Sequence, residues 1–60
     1  MINPTDLKQH LTNHDTHITT NQGTYRLLEV ATNHAIIENY NTQGHRRLEA
    51  IPLTTITHYN

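Results

Sequence analysis

The stretch from residue 23 to residue 40 constrains the fold most, because it carries the densest apolar patterning in the chain. A β-strand points successive side chains to opposite faces, so a strand with one buried face is apolar at every second position. Here apolar residues come in adjacent pairs, Leu27-Leu28 and Ile36-Ile37. We interpret the stretch as a β-hairpin and predict a bulge or a sharp bend between Leu27 and Leu28. Alternatively, both faces of the hairpin are covered, one by the core and one by a neighbouring subunit.

The length and composition of the chain limit how it can be stabilised. Its 60 residues are 33% hydrophobic, and we predict one domain over residues 1–60. Domains of this size usually need disulfides, a metal or self-association, and the absence of Cys excludes the first. No apolar run approaches the roughly 20 residues of a membrane span, and no basic-then-apolar leader follows Met1, so a cytoplasmic protein is expected.

Capping residues predict a helix at the start of the chain, over residues 2–13. Asn3 is a good N-cap, and Pro4 suits the first helical position because its φ angle is already helical. Leu7 and Leu11 then form a narrow apolar stripe, which a helix this short must lay against something else. We expect this helix to cover one end of the sheet.

Turn residues divide the rest of the chain into five short strands. The turns are marked by residues 21–23 and 41–44, each ending in glycine, and by the short polar segment 32–34. Pro52 ends the fourth strand, because it has no N–H for a sheet, and it leads into a corner with one short helical turn. The predicted strands are residues 16–20, 24–31, 35–40, 45–51 and 56–59.

This order of elements resembles the SH3-like small barrels, including the Sm-like family, and especially the bacterial Sm-like RNA chaperones. The likeness covers about residues 4–58 and rests on the length, the N-terminal helix, the Gln22-Gly23 turn before a bent strand, and the apolar third strand. The chain departs from the family at Leu28, where a glycine is usual, and lacks the lysine-histidine signature near the last turn. The resemblance implies a mainly β fold, a five-stranded SH3-like/Sm-like barrel with one short N-terminal helix. No RNA-binding residue is carried over.

The apolar residues divide into a predicted core and a predicted surface set. Tyr25, Leu27 and Ile36 are left over from the core and, with Tyr40, are expected to contact a protein partner or a second copy. We therefore predict a non-catalytic interaction module, a small regulator that binds through an apolar sheet face. The predicted core residues are Leu7, Leu11, Ile18, Leu28, Val30, Ile37, Leu48, Ile51, Leu53 and Ile56.

The alternative function is RNA or DNA binding by an Sm-like protein. His45, Arg46 and Arg47 form the one concentrated basic patch, to which Arg26 and Lys8 could add. Guanidinium groups suit phosphate, and neighbouring tyrosines would offer stacking surfaces for bases. The formal net charge of −1 argues against a strong nucleic-acid binder, so protein binding is favoured.

Histidine is the compositional outlier, with 6 in the chain. His10 and His14 are spaced to chelate a metal on one helix face, and His17 or Asp6 is a candidate third ligand. The solvated face of an amphipathic helix is the favoured interpretation, so no metal site and no cofactor is predicted. The chain has no Ser or Cys nucleophile and no Gly-rich phosphate loop, so neither an enzyme nor a small-molecule substrate is expected.

Overall fold

The computed structural model describes residues 2–60 and has one α-helix, five β-strands and one 3₁₀ turn in the predicted order. No boundary differs from the prediction by more than two residues. The elements are α1 (Pro4–Asn13), β1 (His17–Thr20), β2 (Gly23–Val30), β3 (His34–Tyr40), β4 (Arg46–Pro52), the 3₁₀ turn (Leu53–Thr55) and β5 (His58–Tyr59). No helix within these residues has both the length and the apolar character that crossing a membrane requires.

The helix begins as the capping residues predict. The Asn3 side-chain oxygen accepts hydrogen bonds from the backbone N–H groups of Thr5, at 2.8 Å, and Asp6, at 3.4 Å. These bonds satisfy donors that have no partner inside the helix, and Pro4 occupies the first turn, where an N–H is not needed. Leu7 is fully buried and holds the helix against the core.

All five strands form one antiparallel sheet in the order β4-β3-β2-β1-β5. β5 returns to the first strand through two residue pairs, Ile18 with Tyr59 and Thr19 with His58. Over residues 2–60, β4 and β5 do not pair, so the sheet is not closed into a barrel. The mainly β class and the single short helix are confirmed, whereas the barrel stays a prediction.

The bulge predicted in the second strand is present as a register shift in the pairing of β2 with β3. Leu27 lies opposite Ile37, yet Glu29 lies opposite Ile36, so Leu28 is an additional residue in β2. An extra residue resets the alternation, which lets apolar residues on both sides of the break point to the same face. Leu27 and Val30 are accordingly both buried. The predicted irregularity at Leu27-Leu28 is confirmed.

The hydrophobic core lies between α1 and the inner face of the sheet. Six of the predicted core residues are buried, and Leu11 and Ile51 pack against them while partly exposed. Ala35 and the polar Thr16 are also buried, although the sequence patterns did not single them out. The confirmed buried residues are Leu7, Ile18, Val30, Ile37, Leu53 and Ile56.

Three predicted positions are wrong. Leu27 is buried, with 2% of its surface exposed, and is not on the exposed apolar face; Leu28, predicted in the core, is only half-buried. The bulge explains this exchange, because it leaves Leu27 opposite the inward Ile37 and displaces Leu28. Leu48, also predicted in the core, is 57% exposed because it lies opposite Glu38 on the outer side of the sheet.

Candidate interaction surface

The outer side of the β3–β4 hairpin presents the clearest candidate surface. Ala35 and Ile37 point into the core, so the alternate residues of β3 point outward together with their partners on β4. We call this surface the outer β3–β4 face. It consists of four cross-strand pairs, His34 with Pro52, Ile36 with Ala50, Glu38 with Leu48, and Tyr40 with Arg46.

Exposed apolar groups are concentrated on this face. Tyr40 is 58% exposed and Leu48 is 57% exposed, and they are the only large hydrophobic residues so exposed between residues 2 and 60. They occupy successive outward pairs on neighbouring strands, a diagonal relation within reach of long side chains. Ile36, half-buried, and Ala50, exposed, extend the apolar strip by one further pair.

A small polar network crosses the strip. The Arg46 Nε–H donates to one carboxylate oxygen of Glu38, and the Tyr40 hydroxyl donates to the other at 3.2 Å. The hydrogen bond from Arg46 lowers the pKa of Glu38, and the Tyr40 hydroxyl and the charge of Arg26 lower it further, while partial burial of the carboxylate opposes them. The network thus keeps Glu38 ionised and paired, and it holds Tyr40 in place.

The predicted partner-binding residues do not lie on one surface. Ile36 and Tyr40 belong to the outer β3–β4 face. Tyr25 lies half-buried against the core on the other side of the sheet, and Leu27 is part of the core. The structure adds Leu48 and Ala50 to Ile36 and Tyr40, because the hairpin register places all of them outward.

The sequence contained part of the signal for this surface. In the fourth strand, Arg46, Leu48 and Ala50 alternate with Arg47 and Glu49, which separates two faces. The predicted core takes Leu48 from one of these faces and Ile51 from the other. In the structure the face with Leu48 lies outward, and Ile51 lies on the core side, where its partner Ala35 is buried.

The residues of the alternative basic site are brought together only in part, since Arg26 and Arg46 both lie beside Glu38. Arg46 pairs with Glu38, and a terminal nitrogen of Arg26 lies 3.4 Å from a carboxylate oxygen of Asp15. Arg47, opposite Asn39, is on the other face of β4 from Arg46.

His45 precedes β4 in the hairpin loop, where its backbone N–H donates to the Asn41 side chain at 2.9 Å. Lys8 lies on α1, away from the hairpin in the chain. Of the three tyrosines, Tyr40 is the one placed directly opposite a basic residue of this set, Arg46. The geometry therefore brings Arg26, Arg46 and Tyr40 together around Glu38, and it places Arg47 on the opposite face of the sheet.

The candidate metal ligands lie near the end of α1. Throughout the part of the chain that the structure describes, no group of three or more His, Cys, Asp or Glu side chains is arranged to hold a metal ion. His17 and Asp15 border the same surface cleft as His10 and His14. Neither of the candidate third ligands, His17 and Asp6, completes a three-residue site within residues 2–60.

Comparisons of this chain with family models, with curated proteins and with solved structures find no match. The resemblance to the Sm-like family therefore rests on the order and lengths of the elements, and it stays a prediction.

Proposed function

We propose that this chain is a non-catalytic interaction module that binds another protein, or a second copy of itself, through the outer β3–β4 face. The observation that carries the proposal is the exposure of Tyr40 and Leu48, 58% and 57%, on successive pairs of a two-stranded surface. Contiguous exposed apolar groups on a small protein commonly mark association sites, and tyrosine is enriched where partners bind most strongly. Arg46, a residue type that is also enriched at such sites, lies directly opposite Tyr40.

The polar network supports the same proposal. Interface centres are depleted in unpaired charge, and Glu38 already has a partner on each carboxylate oxygen before any binding occurs. Burying this paired group costs less than burying a free carboxylate. The bond from the Tyr40 hydroxyl also restricts its ring, which reduces the side-chain entropy lost on binding.

An SH3-like or Sm-like small barrel is part of the proposal. It is supported by the helix, the four-stranded meander, the corner after Pro52 and the return of β5 to β1. Closure of such a barrel would require β4 and β5 to approach each other.

The competing proposal is nucleic-acid binding through Arg26, His45, Arg46 and Arg47. The dependence of binding on salt concentration distinguishes it from protein binding through the outer β3–β4 face. Phosphate contacts release counterions, so nucleic-acid binding weakens steeply as salt is raised, whereas an apolar contact does not. A gel-shift titration with random single-stranded RNA and DNA at low salt supports the competing proposal if it shows binding that salt abolishes.

The experiment for the proposed function uses Leu48→Asp, with Arg47→Asp as its control. Arg47 is an exposed residue of the same strand, opposite Asn39, and its side chain lies on the other face of β4. Light scattering of the purified chain measures self-association, and affinity capture from the source cells, repeated with the purified partner, measures partner binding.

We expect Leu48→Asp to lose association and Arg47→Asp to retain it, with both variants still folded by circular dichroism. Equal binding by the two folded variants contradicts the proposed surface. A chain that neither self-associates nor captures a protein contradicts the proposed function itself.

A further inference from the structure

We propose that His10 and His14 form a two-histidine site that binds a divalent transition-metal ion of the zinc class. The two residues are one helical turn apart at the C-terminal end of α1, where His14 is the C-cap. Their ring centroids are 5.0 Å apart and their planes are inclined by 48°. The site lies outside the outer β3–β4 face, so it stands independently of the proposed function.

The separation of the rings suits a shared metal ion. Zinc binds imidazole nitrogen at about 2.0–2.1 Å with tetrahedral angles. Two imidazoles on one such ion have ring centroids about 5 Å apart, since each centroid lies about 1 Å beyond its nitrogen along the metal bond. The observed 5.0 Å therefore places the two rings at the separation that a shared ion requires.

Hydrogen bonding determines which nitrogen of His10 is available. The Thr16 hydroxyl donates to the His14 carbonyl oxygen at 3.0 Å, so its hydrogen is already used. The 2.8 Å contact between Thr16 Oγ1 and His10 Nδ1 is then a bond in which the ring N–H donates. His10 thus carries its proton on Nδ1 and keeps a free lone pair on Nε2, as a metal ligand requires.

The surroundings of His10 also fix the direction of its ring. Thr16, the acceptor on one side, is fully buried. The ring of Tyr59 in β5 also meets the His10 ring edge to face, with centroids 5.2 Å apart and planes at 76°. Zinc-binding histidines usually donate their second nitrogen to a protein acceptor, which orients the ring and raises its basicity. Thr16 supplies that acceptor here.

The chain provides two ligands, and the other coordination positions remain for solvent or for a second molecule. Asp15 borders the cleft of about 450 Å³ beside the two rings, but one of its oxygens already contacts Arg26 at 3.4 Å. Imidazole ligands suit zinc, copper and nickel rather than magnesium or calcium. We therefore expect weaker binding than at four-ligand structural zinc sites, with selectivity for borderline metals.

Thermal unfolding with zinc chloride tests the site. We expect about 1 mM zinc at neutral pH to raise the melting temperature, since an ion that binds the folded state stabilises it. Magnesium at the same concentration should have no effect.

His14→Ala is the diagnostic variant, and His45→Ala is its matched control. Both residues are exposed, so neither substitution removes a buried group, whereas His10→Ala also breaks the contacts with Thr16 and Tyr59. The zinc response should disappear in His14→Ala and persist in His45→Ala.

Calorimetry should find one ion per chain, or one per two chains if a second copy supplies the remaining ligands. An unchanged melting temperature with zinc, or a full response in His14→Ala, overturns the proposal.

Discussion

The chain contains two adjacent pairs of large aliphatic residues, Leu27-Leu28 and Ile36-Ile37, and the fold accommodates them differently. In β2, Leu27-Leu28 coincides with a bulge, so the strand keeps its apolar residues inward on both sides of the break. In β3, Ile36-Ile37 lies in a strand whose pairing with β4 is regular from end to end. One of these isoleucines must therefore face outward, and Ile36 joins the exposed strip of Tyr40 and Leu48.

This difference shows what a break in alternation can produce. A bulge uses one extra residue to restore the core pattern, and the strand remains committed to the core. A regular strand instead carries the additional apolar residue to the solvent side, where it becomes available to a partner. The same sequence signal thus leads to a folding feature in one strand and to a candidate binding surface in the next.

The largest expected effect on stability is a difference between substitutions at Leu27 and at Leu28. Leu27→Ala should lower the free energy of unfolding by about 2–5 kcal/mol, because it opens a cavity among buried residues. Leu28→Ala should cost clearly less, since Leu28 is only half-buried. Urea unfolding of both variants measures the difference. Equal losses would contradict the assignment of Leu27 to the core and Leu28 to the bulge.

The isoleucine pair should show the same asymmetry to a smaller degree. Ile36→Val should change the free energy of unfolding by less than about 0.5 kcal/mol, whereas Ile37→Val should lower it by about 0.5–1.5 kcal/mol. Removing one methylene group leaves a void only where the side chain is enclosed, and Ile37 is 1% exposed. Chemical denaturation again provides the measurement, and a larger loss at Ile36 would reverse the assignment of faces.

The outer β3–β4 face should also make stability depend on pH. The pKa of Glu38 is lowered in the folded chain, so the unfolded chain binds a proton at this position more readily. The stabilisation is therefore fully present above the ordinary carboxyl pKa of 4.5, and it is lost as the pH falls below that value and through the lowered pKa.

Glu38→Gln measures this contribution, with Glu29→Gln, an exposed position on β2, as its control. The variant at position 38 should show a shallower loss of stability over that pH range in urea unfolding, and the control should follow the unchanged chain. The same slope in both variants would mean that the network with Arg46 and Tyr40 adds nothing.

The smallest expected effect on stability is at Leu48. Leu48→Thr should change the free energy of unfolding by no more than about 0.5 kcal/mol, because the side chain is 57% exposed and threonine suits a strand. If the proposed function is right, this variant should still weaken association. A loss of several kcal/mol in urea unfolding would place Leu48 in the folding core after all.

Local features were predictable because their energies depend on nearby residues. The Asn3 cap, the position of the bulge and the corner after Pro52 all follow from conformational limits that act within a few residues. The glycine of the second hairpin turn was predictable for the same reason, since Gly44 has a φ angle of 82°, in a region that other residues avoid.

The candidate sites could be predicted only in part. The helical spacing of His10 and His14 was visible in the sequence, but the role of Thr16 depends on the contact that its hydroxyl makes with the His10 ring, six residues earlier. Similarly, Ile36 and Tyr40 were expected at a surface, whereas Leu48 was predicted in the core and is placed beside them by the pairing of β4 with β3.

The sequence alone determined where the helix, the strands and the turns of this protein lie, since capping, turn geometry and side-chain periodicity act locally. Only the tertiary structure decided which face of each strand is buried, because alternation separates two faces without saying which one meets the core. It also decided that the sheet remains open between β4 and β5, since strand pairing depends on residues far apart in the chain. The outer β3–β4 face depends on both of these features, because its residues point away from the core and β4 lies at the edge of the sheet.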